Sequence, residues 1–171
     1  MNRGAFLPAV LLLSACATAH ADGQELPAAT PAYRAIAFEI SSWGRPLGSW
    51  QVAADGTVHH TRIDGSPFGA HRVEQRAFTI DAAGYARLAA IAAGLPQPRL
   101  DRAQCKERAT DLPYGTLHLT TAKGEEAVSF DTGCLDAPYK AFVGRLQSMD
   151  TLVGDWAAQH PATSTEEVGR K

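Results

Sequence analysis

Residues 50–63, with the sequence WQVAADGTVHHTRI, decide the fold class of this chain. Apolar and polar side chains alternate on both sides of Asp55-Gly56, with Trp50 and Val52 before it. A period of two is typical of a strand with one buried face, because successive side chains point to opposite sides of a sheet. Glycine tolerates the positive φ that tight hairpin turns need, so Asp-Gly between the two runs predicts a β-hairpin.

The same alternation extends in both directions along the chain. Ile36, Phe38 and Ile40 alternate with small or polar residues, which predicts a strand before the hairpin. Another strand follows the hairpin, and a second hairpin with Lys123-Gly124 at its turn comes later. These further strands are predicted at residues 36–40, 72–80, 115–121 and 127–131.

Two segments have the apolar spacing of an amphipathic helix. Asp81 is a good N-cap for the first, because its carboxylate accepts hydrogen bonds from the first turn, and Gly94 ends it. The second covers residues 139–159 and has a continuous apolar stripe. The order of strands, helix, strands and helix predicts an α+β fold, in which two hairpin groups form a mostly antiparallel sheet and two helices pack on one face.

The composition is that of one globular domain. The 171 residues are 45% apolar and 20% charged, and we expect a single core within residues 33–160. Residues 161–171 are polar, and we predict that they form a flexible tail. The formal net charge is −2 and no basic run occurs, so we predict no nucleic-acid partner, since the electrostatic attraction that dominates such binding has no source.

The N-terminus has the pattern of an export signal. Arg3 supplies the positive charge, and residues 5–13 form an apolar segment of nine residues. As a helix, this segment is too short to cross a hydrocarbon layer of about 30 Å. We therefore predict that residues 1–15 are a cleaved signal peptide.

The segment Leu13-Ser14-Ala15-Cys16 resembles the lipobox of bacterial lipoproteins. The resemblance implies that Cys16 becomes the mature N-terminus and carries lipid, so that a membrane is one partner of this chain. Residues 16–32 contain two prolines and few large apolar groups, and are predicted to be a tether. The residues after the cysteine are not aspartate, which resembles lipoproteins sorted to the outer membrane and facing the periplasm.

A second cleavage site offers an alternative for the same segment. Ala19-His20-Ala21 has the small-x-small form that signal peptidases also cut. Cleavage there would leave a soluble periplasmic or secreted protein that begins at Asp22.

The plan of the domain is similar to that of small bacterial envelope domains. The likeness is carried by Phe38-Glu39-Ile40, by Asp55-Gly56 and by the segment Thr110-Asp111-Leu112-Pro113, which has the form T-D-x-P. It implies the same α+β fold over most of the chain after residue 33. It brings no catalytic residue to this sequence.

Cys105 and Cys134 form an even pair in an oxidising compartment, which predicts a disulfide. A metal site or a nucleophilic thiol are the alternatives, but no C-x-x-C occurs and no histidine has a usual ligand spacing from either cysteine. His59 and His60 are neighbours on one predicted strand and point to opposite faces, which indicates solvent-facing histidines rather than chelation of one ion. We therefore predict neither a metal ion nor a cofactor.

Trp43 and Arg45 are candidates for a surface that binds an unknown envelope protein or ligand. Aromatic and arginine side chains often anchor interfaces, and these two flank a glycine between predicted strands. The sequence nevertheless favours the other interpretation, in which the tryptophan is buried at the turn.

Asp131-Thr132-Gly133 resembles the D-T-G loop of aspartic proteases, in which two aspartates share a proton. Only one D-T-G occurs in this chain. Aspartic proteases also need an apolar-apolar-glycine segment well downstream of that loop, and the segments of this form here follow at the wrong spacing. The alternative is a turn in which the Asp131 carboxylate accepts from the backbone N–H two residues on. Two functions are thus predicted: a lipid-anchored, non-enzymatic binding module, or a small envelope hydrolase with an acidic site near Asp111 and Asp131.

Overall fold

The computed structural model describes residues 32–66, 68–100 and 102–169. The predicted signal peptide, Cys16 and all but the last residue of the predicted tether lie outside the described residues. One antiparallel sheet of seven strands, in the spatial order β6-β5-β1-β2-β3-β4-β7, is combined with two α-helices. The elements are β1 Ala35–Ser42, β2 Arg45–Ala53, β3 Thr57–Gly65, β4 His71–Thr79, α1 Ala82–Ala93, β5 Tyr114–Thr121, β6 Gly124–Asp131, α2 Ala137–Ala158 and β7 Ser164–Val168.

Strand register places the alternating apolar residues on one face of the sheet. Phe38 lies opposite Trp50 on β2 and Leu117 on β5, and residues directly opposite one another share a face. This face and the buried residues of both helices form one apolar cluster. Polar positions such as Gln51 and His59 lie opposite each other on the other face and are exposed. The predicted α+β class is confirmed. The buried apolar residues of the sheet are Ile36, Phe38, Trp50, Val52, Val58, Leu117, Leu119, Val128 and Phe130.

The helices begin and end close to the positions that the sequence indicates. The Asp81 carboxylate accepts from the Gly84 N–H at 2.7 Å and caps α1, as predicted. In α2 the apolar stripe runs from Tyr139 to Ala157 and is buried. Among the described residues, no helix is both long enough and apolar enough to span a membrane.

The predicted flexible tail needs a correction. Ser164–Val168 forms β7, which pairs with β4 from Gln75 to His71 at the edge of the sheet. Thr163 supports the start of this strand, because its N–H and its hydroxyl both donate to the Gln75 carbonyl. Most side chains of β7 are exposed, so backbone hydrogen bonds rather than apolar alternation define it.

Candidate functional site

The exposed apolar side chains gather at one end of the sheet, which we call the distal end. It is the end at which β1 and β3 finish and β2, β4 and β5 begin. The chain enters β1 at the opposite, proximal end. In the described part of the chain, the large apolar side chains that are most exposed are Trp43 (64%), Phe68 (62%), Leu112 (45%) and Leu135 (45%), and all four lie at the distal end.

A loop of residues 105–113 is fastened across the distal end. Cys105 and Cys134 are joined by a disulfide, with their Cα atoms 5.7 Å apart, as the sequence predicts. Two backbone hydrogen bonds lie beside the disulfide. The Ala109 N–H donates to the Gly133 carbonyl at 2.8 Å, and the Leu135 N–H donates to the carbonyl of residue 107 in the loop at 2.8 Å. The loop is therefore held to the end of β6 by covalent and backbone contacts together.

Asp131 anchors this arrangement. It is 4% exposed, and it is the only polar or charged residue in the buried class within the described ranges. Its Oδ1 atom accepts from the Gly133 N–H at 2.9 Å, the turn bond that the sequence predicts. Its Oδ2 atom lies 3.4 Å from Nε of Arg102 and 3.2 Å from Nε of Arg108. This carboxylate therefore stabilises a turn and pairs with two guanidinium groups.

The rest of the D-T-G segment also has a structural explanation. The Thr132 hydroxyl donates to the Pro113 carbonyl at 2.7 Å. Gly133 is buried against the loop, and a Cβ atom there would run into the Ala109 carbonyl oxygen. Each of the three residues thus holds the loop of residues 105–113 to β6, and none needs a second aspartate to explain it.

An open pocket of about 340 Å³ lies between this loop and the β1–β2 turn. We call it the Trp43 pocket. The Tyr114 hydroxyl in its wall accepts from the Gly44 N–H at 2.9 Å, and the Arg102 guanidinium stacks on the Tyr114 ring at 4.6 Å. The lining residues are Trp43, Arg102, Arg108, Ala109, Thr110, Asp111, Leu112, Tyr114 and Asp131.

Three of the residues singled out from the sequence meet in this pocket. Trp43, Asp111 and Asp131 all line it. Trp43 is exposed at its turn, so the burial that the sequence favours is wrong. Arg45 is not among the lining residues, and its guanidinium carbon lies 5.6 Å from the centre of the Phe68 ring.

The backbone is strained at this pocket. Trp43 has φ = +53° and Asp111 has φ = +67°, and among the described residues these are the only non-glycine residues with positive φ. The left-handed conformation costs most residues with a Cβ atom about 1 to 2 kcal/mol, whereas aspartate tolerates it better, so the strain is mainly at Trp43. Such strain persists where the surroundings impose it, and it gathers at functional sites.

Trp43→Asn is expected to raise the free energy of unfolding by about 1 kcal/mol. Trp43 and Gly44 both have positive φ, as in the hairpin turn for which Asn-Gly is the favoured pair. The exposed indole contributes little burial in return. Urea denaturation of the purified chain would measure the change. Trp43→Ala is the matched control, because alanine keeps the strain and should give no gain, and a loss of stability in Trp43→Asn would contradict the argument.

A second cavity of about 660 Å³ lies between α2 and strands β2 to β4. Trp50 donates from Nε1 to the Asp150 carboxylate at 2.9 Å, and burial raises the pKa of Asp150. Burial, with the charge of Arg76, lowers the pKa of His60. The His60 Nδ1 atom is buried without a hydrogen-bond partner among the described residues. Side chains of both charges line this cavity, and the hydrogen bond between Trp50 and Asp150 is made within the fold.

The sequence placed His60 on a solvent-facing surface, and that expectation is wrong. His60 lies opposite the buried Trp50, on the apolar face, whereas its neighbour His59 is exposed on the other face. The predicted opposite orientation of the two histidines is thus correct. Sequence reasoning missed Asp150, although its position four residues after Leu146 places a carboxylate on the buried stripe of α2.

Within the described ranges, one group of three metal-ligand side chains comes close together: Cys105, Cys134 and Asp136. Both cysteine sulfur atoms are used in the disulfide, so this group does not provide thiolate ligands.

Comparison with protein-family models, with curated proteins and with solved structures gives no significant match to this chain.

Proposed function

We propose that this chain is a lipid-anchored, non-enzymatic binding module of the bacterial cell envelope, and that an envelope protein docks on its distal end over the Trp43 pocket. The observation that carries the proposal is the conformation of Trp43. A large aromatic side chain occupies a strained turn position and is 64% exposed, so neither turn geometry nor core packing accounts for it. Exposed aromatic side chains beside arginine are typical anchors of interfaces.

The surfaces that remain accessible support docking at the distal end. The buried residues of both helices share one cluster with the apolar face of the sheet, from which we infer that the helices pack on that face. The other face has mostly small and polar side chains, with Ile63 and Val73 half-buried on it, and among the described residues the large apolar side chains that are most exposed lie at the distal end. Apolar groups exposed together in this way are typical of interaction sites.

The direction of the proposed anchor agrees with such a role. The tether would join the proximal end of the sheet, where β1 begins. The eight residues of β1 span about 26 Å, so the Trp43 pocket lies that far from the attachment point. In an outer-membrane lipoprotein facing the periplasm, the pocket would lie at the end of the domain opposite to the tether, where other envelope components can reach it.

The hydrolase alternative has weaker support. The Asp131 carboxylate already accepts from a backbone N–H and contacts two arginines, whereas a catalytic carboxylate needs a free oxygen facing substrate or water. Asp111 is exposed at the rim of the pocket.

Complementation of a deletion strain with Trp43→Asn tests the binding function. We expect this variant to be more stable than the parent and yet to fail to restore the phenotype of the strain. Gln51→Asn, on the exposed sheet face, is the control that should restore it. Full complementation by Trp43→Asn, at an equal level of protein, would exclude the Trp43 pocket as the functional surface.

The anchor is tested separately by mass analysis of the mature N-terminus. We expect an acylated Cys16, and Cys16→Ser should release the protein from the membrane fraction. An unmodified N-terminus at Asp22 would show instead that the chain is a soluble periplasmic or secreted protein.

A further inference from the structure

We propose that the Trp43 pocket recognises a peptide carboxylate that lies next to an apolar side chain. The inference rests on the proposed function and names the chemistry of the docking segment. Two guanidinium groups would bind the carboxylate, and two exposed apolar side chains at the rim would contact its neighbour. The cationic groups are Arg102 and Arg108, and the apolar ones are Trp43 and Leu112.

Two guanidinium groups form a positively charged side of the pocket, although the two arginines and two aspartates that line it balance in formal charge. Arg102 and Arg108 contribute two positive charges, and within the described part of the chain Asp131 is the carboxylate that pairs with both. Both arginines approach the same Oδ2 atom through Nε, and their side chains are 42% and 38% exposed. The pair therefore keeps a net positive charge and an exposed side towards the pocket. Asp111 lies at the rim and is exposed to solvent, so we expect the anion to bind against the arginines and away from this second carboxylate.

The two guanidinium groups are already held in position. Arg102 stacks on the Tyr114 ring, and Arg108 donates from Nη2 to the Arg102 carbonyl at 2.9 Å. Asp131, which contacts both, is itself fixed by the Gly133 N–H. Arginines fixed before binding lose little side-chain entropy when they form paired hydrogen bonds to a carboxylate. The buried carboxylate thus acts as a positioning residue for an anion site.

The apolar part of the pocket indicates that the anion belongs to a larger group. Trp43 and Leu112 are among the most exposed large apolar side chains of the described chain, and both line this pocket. A bare inorganic anion would leave them in water. A carboxylate on a peptide, with an apolar side chain beside it, would cover both and contact the arginines at the same time.

NMR titration of the ¹⁵N-labelled full-length chain in detergent would test this inference. The test compounds are acetyl-Leu-Leu with a free C-terminal carboxylate, the same peptide as its amide, acetyl-Leu-Glu amide and inorganic phosphate. We expect the free acid, the glutamate peptide or both to shift the Gly44 and Asp111 amide signals, with a Kd at least about tenfold lower than that of acetyl-Leu-Leu amide. The two peptides distinguish a chain terminus from an acidic side chain as the source of the carboxylate.

The Kd values of variants show which side chains contribute to binding. Arg108→Gln is expected to weaken the binding of the carboxylate peptides about tenfold, because it removes a charged donor. Trp43→Asn, which is expected to fold more stably, should weaken it as well. Arg34→Gln, at the proximal end, is the control that should leave the Kd unchanged. Equal Kd values for acid and amide peptides, or binding of phosphate alone, would overturn the inference. The complementation result for Trp43→Asn would still stand on its own and would test the proposed function separately.

Discussion

Replacing Cys105 and Cys134 together by alanine is expected to lower the free energy of unfolding by about 3 to 4 kcal/mol. The two residues are 29 positions apart, so the disulfide removes a large loop-closure entropy from the unfolded chain. Cys134 is also buried, and truncating it leaves space in the core. Urea denaturation of the purified parent and of the double variant would measure the difference.

Reduction provides the control for this experiment. Dithiothreitol should destabilise the parent by a similar amount and should have no effect on the double variant. The double substitution avoids the reactive thiol that a single substitution would leave. A loss below about 1 kcal/mol would mean that the backbone bonds from Ala109 and Leu135 fix the loop of residues 105–113 without the disulfide.

The sequence predicts the strands and helices that have one buried face and one exposed face. Ile36, Phe38, Trp50 and Val52 alternate because one face of the sheet is in the core, and they predict β1 and β2 correctly. The cap at Asp81 is equally local, because its hydrogen bond reaches only three residues along the chain.

The parts that the sequence does not predict depend on distant contacts. β7 has no buried face to create an alternation, so only its pairing with β4 defines it. Arg102 and Arg108 have no pattern of their own. They become neighbours because Asp131 attracts both of them and because the loop is bonded to β6.

The candidate site was predicted in part. Residue type indicated Trp43 and Arg45 as candidate site residues, and likeness to known motifs indicated Asp111 and Asp131. Nothing in the sequence predicted that residues of these two pairs lie close together. Trp43 meets Asp111 and Asp131 because β1 and β6 both end at the distal end of the sheet, on either side of β5. Only the strand order, with β5 inserted beside β1, brings the turn after β1 close to the loop of residues 105–113.

Gly133→Ala is expected to lower the free energy of unfolding by about 3 kcal/mol. A Cβ atom at this position would overlap the Ala109 carbonyl oxygen and would lie 3.1 Å from Oδ1 of Asp131. The overlapping atom belongs to the backbone of a loop that is held by a disulfide, so it has little freedom to move away. The hydrogen bond from the Ala109 N–H to the Gly133 carbonyl and the bond from the Gly133 N–H to Asp131 would both be disturbed.

The matched control for this substitution is Gly144→Ala. Gly144 is exposed within α2, and an added Cβ atom would meet nothing within 4 Å, so alanine should stabilise the chain by about 0.5 to 1 kcal/mol through its helix propensity. Denaturation curves of the two variants therefore move in opposite directions if the close approach to Ala109 is what requires glycine at position 133. Suppose instead that Gly133→Ala kept its stability and failed to complement the deletion strain. The D-T-G segment would then act directly on a ligand or substrate, and the hydrolase alternative would regain support because the stabilising role of the glycine would be gone.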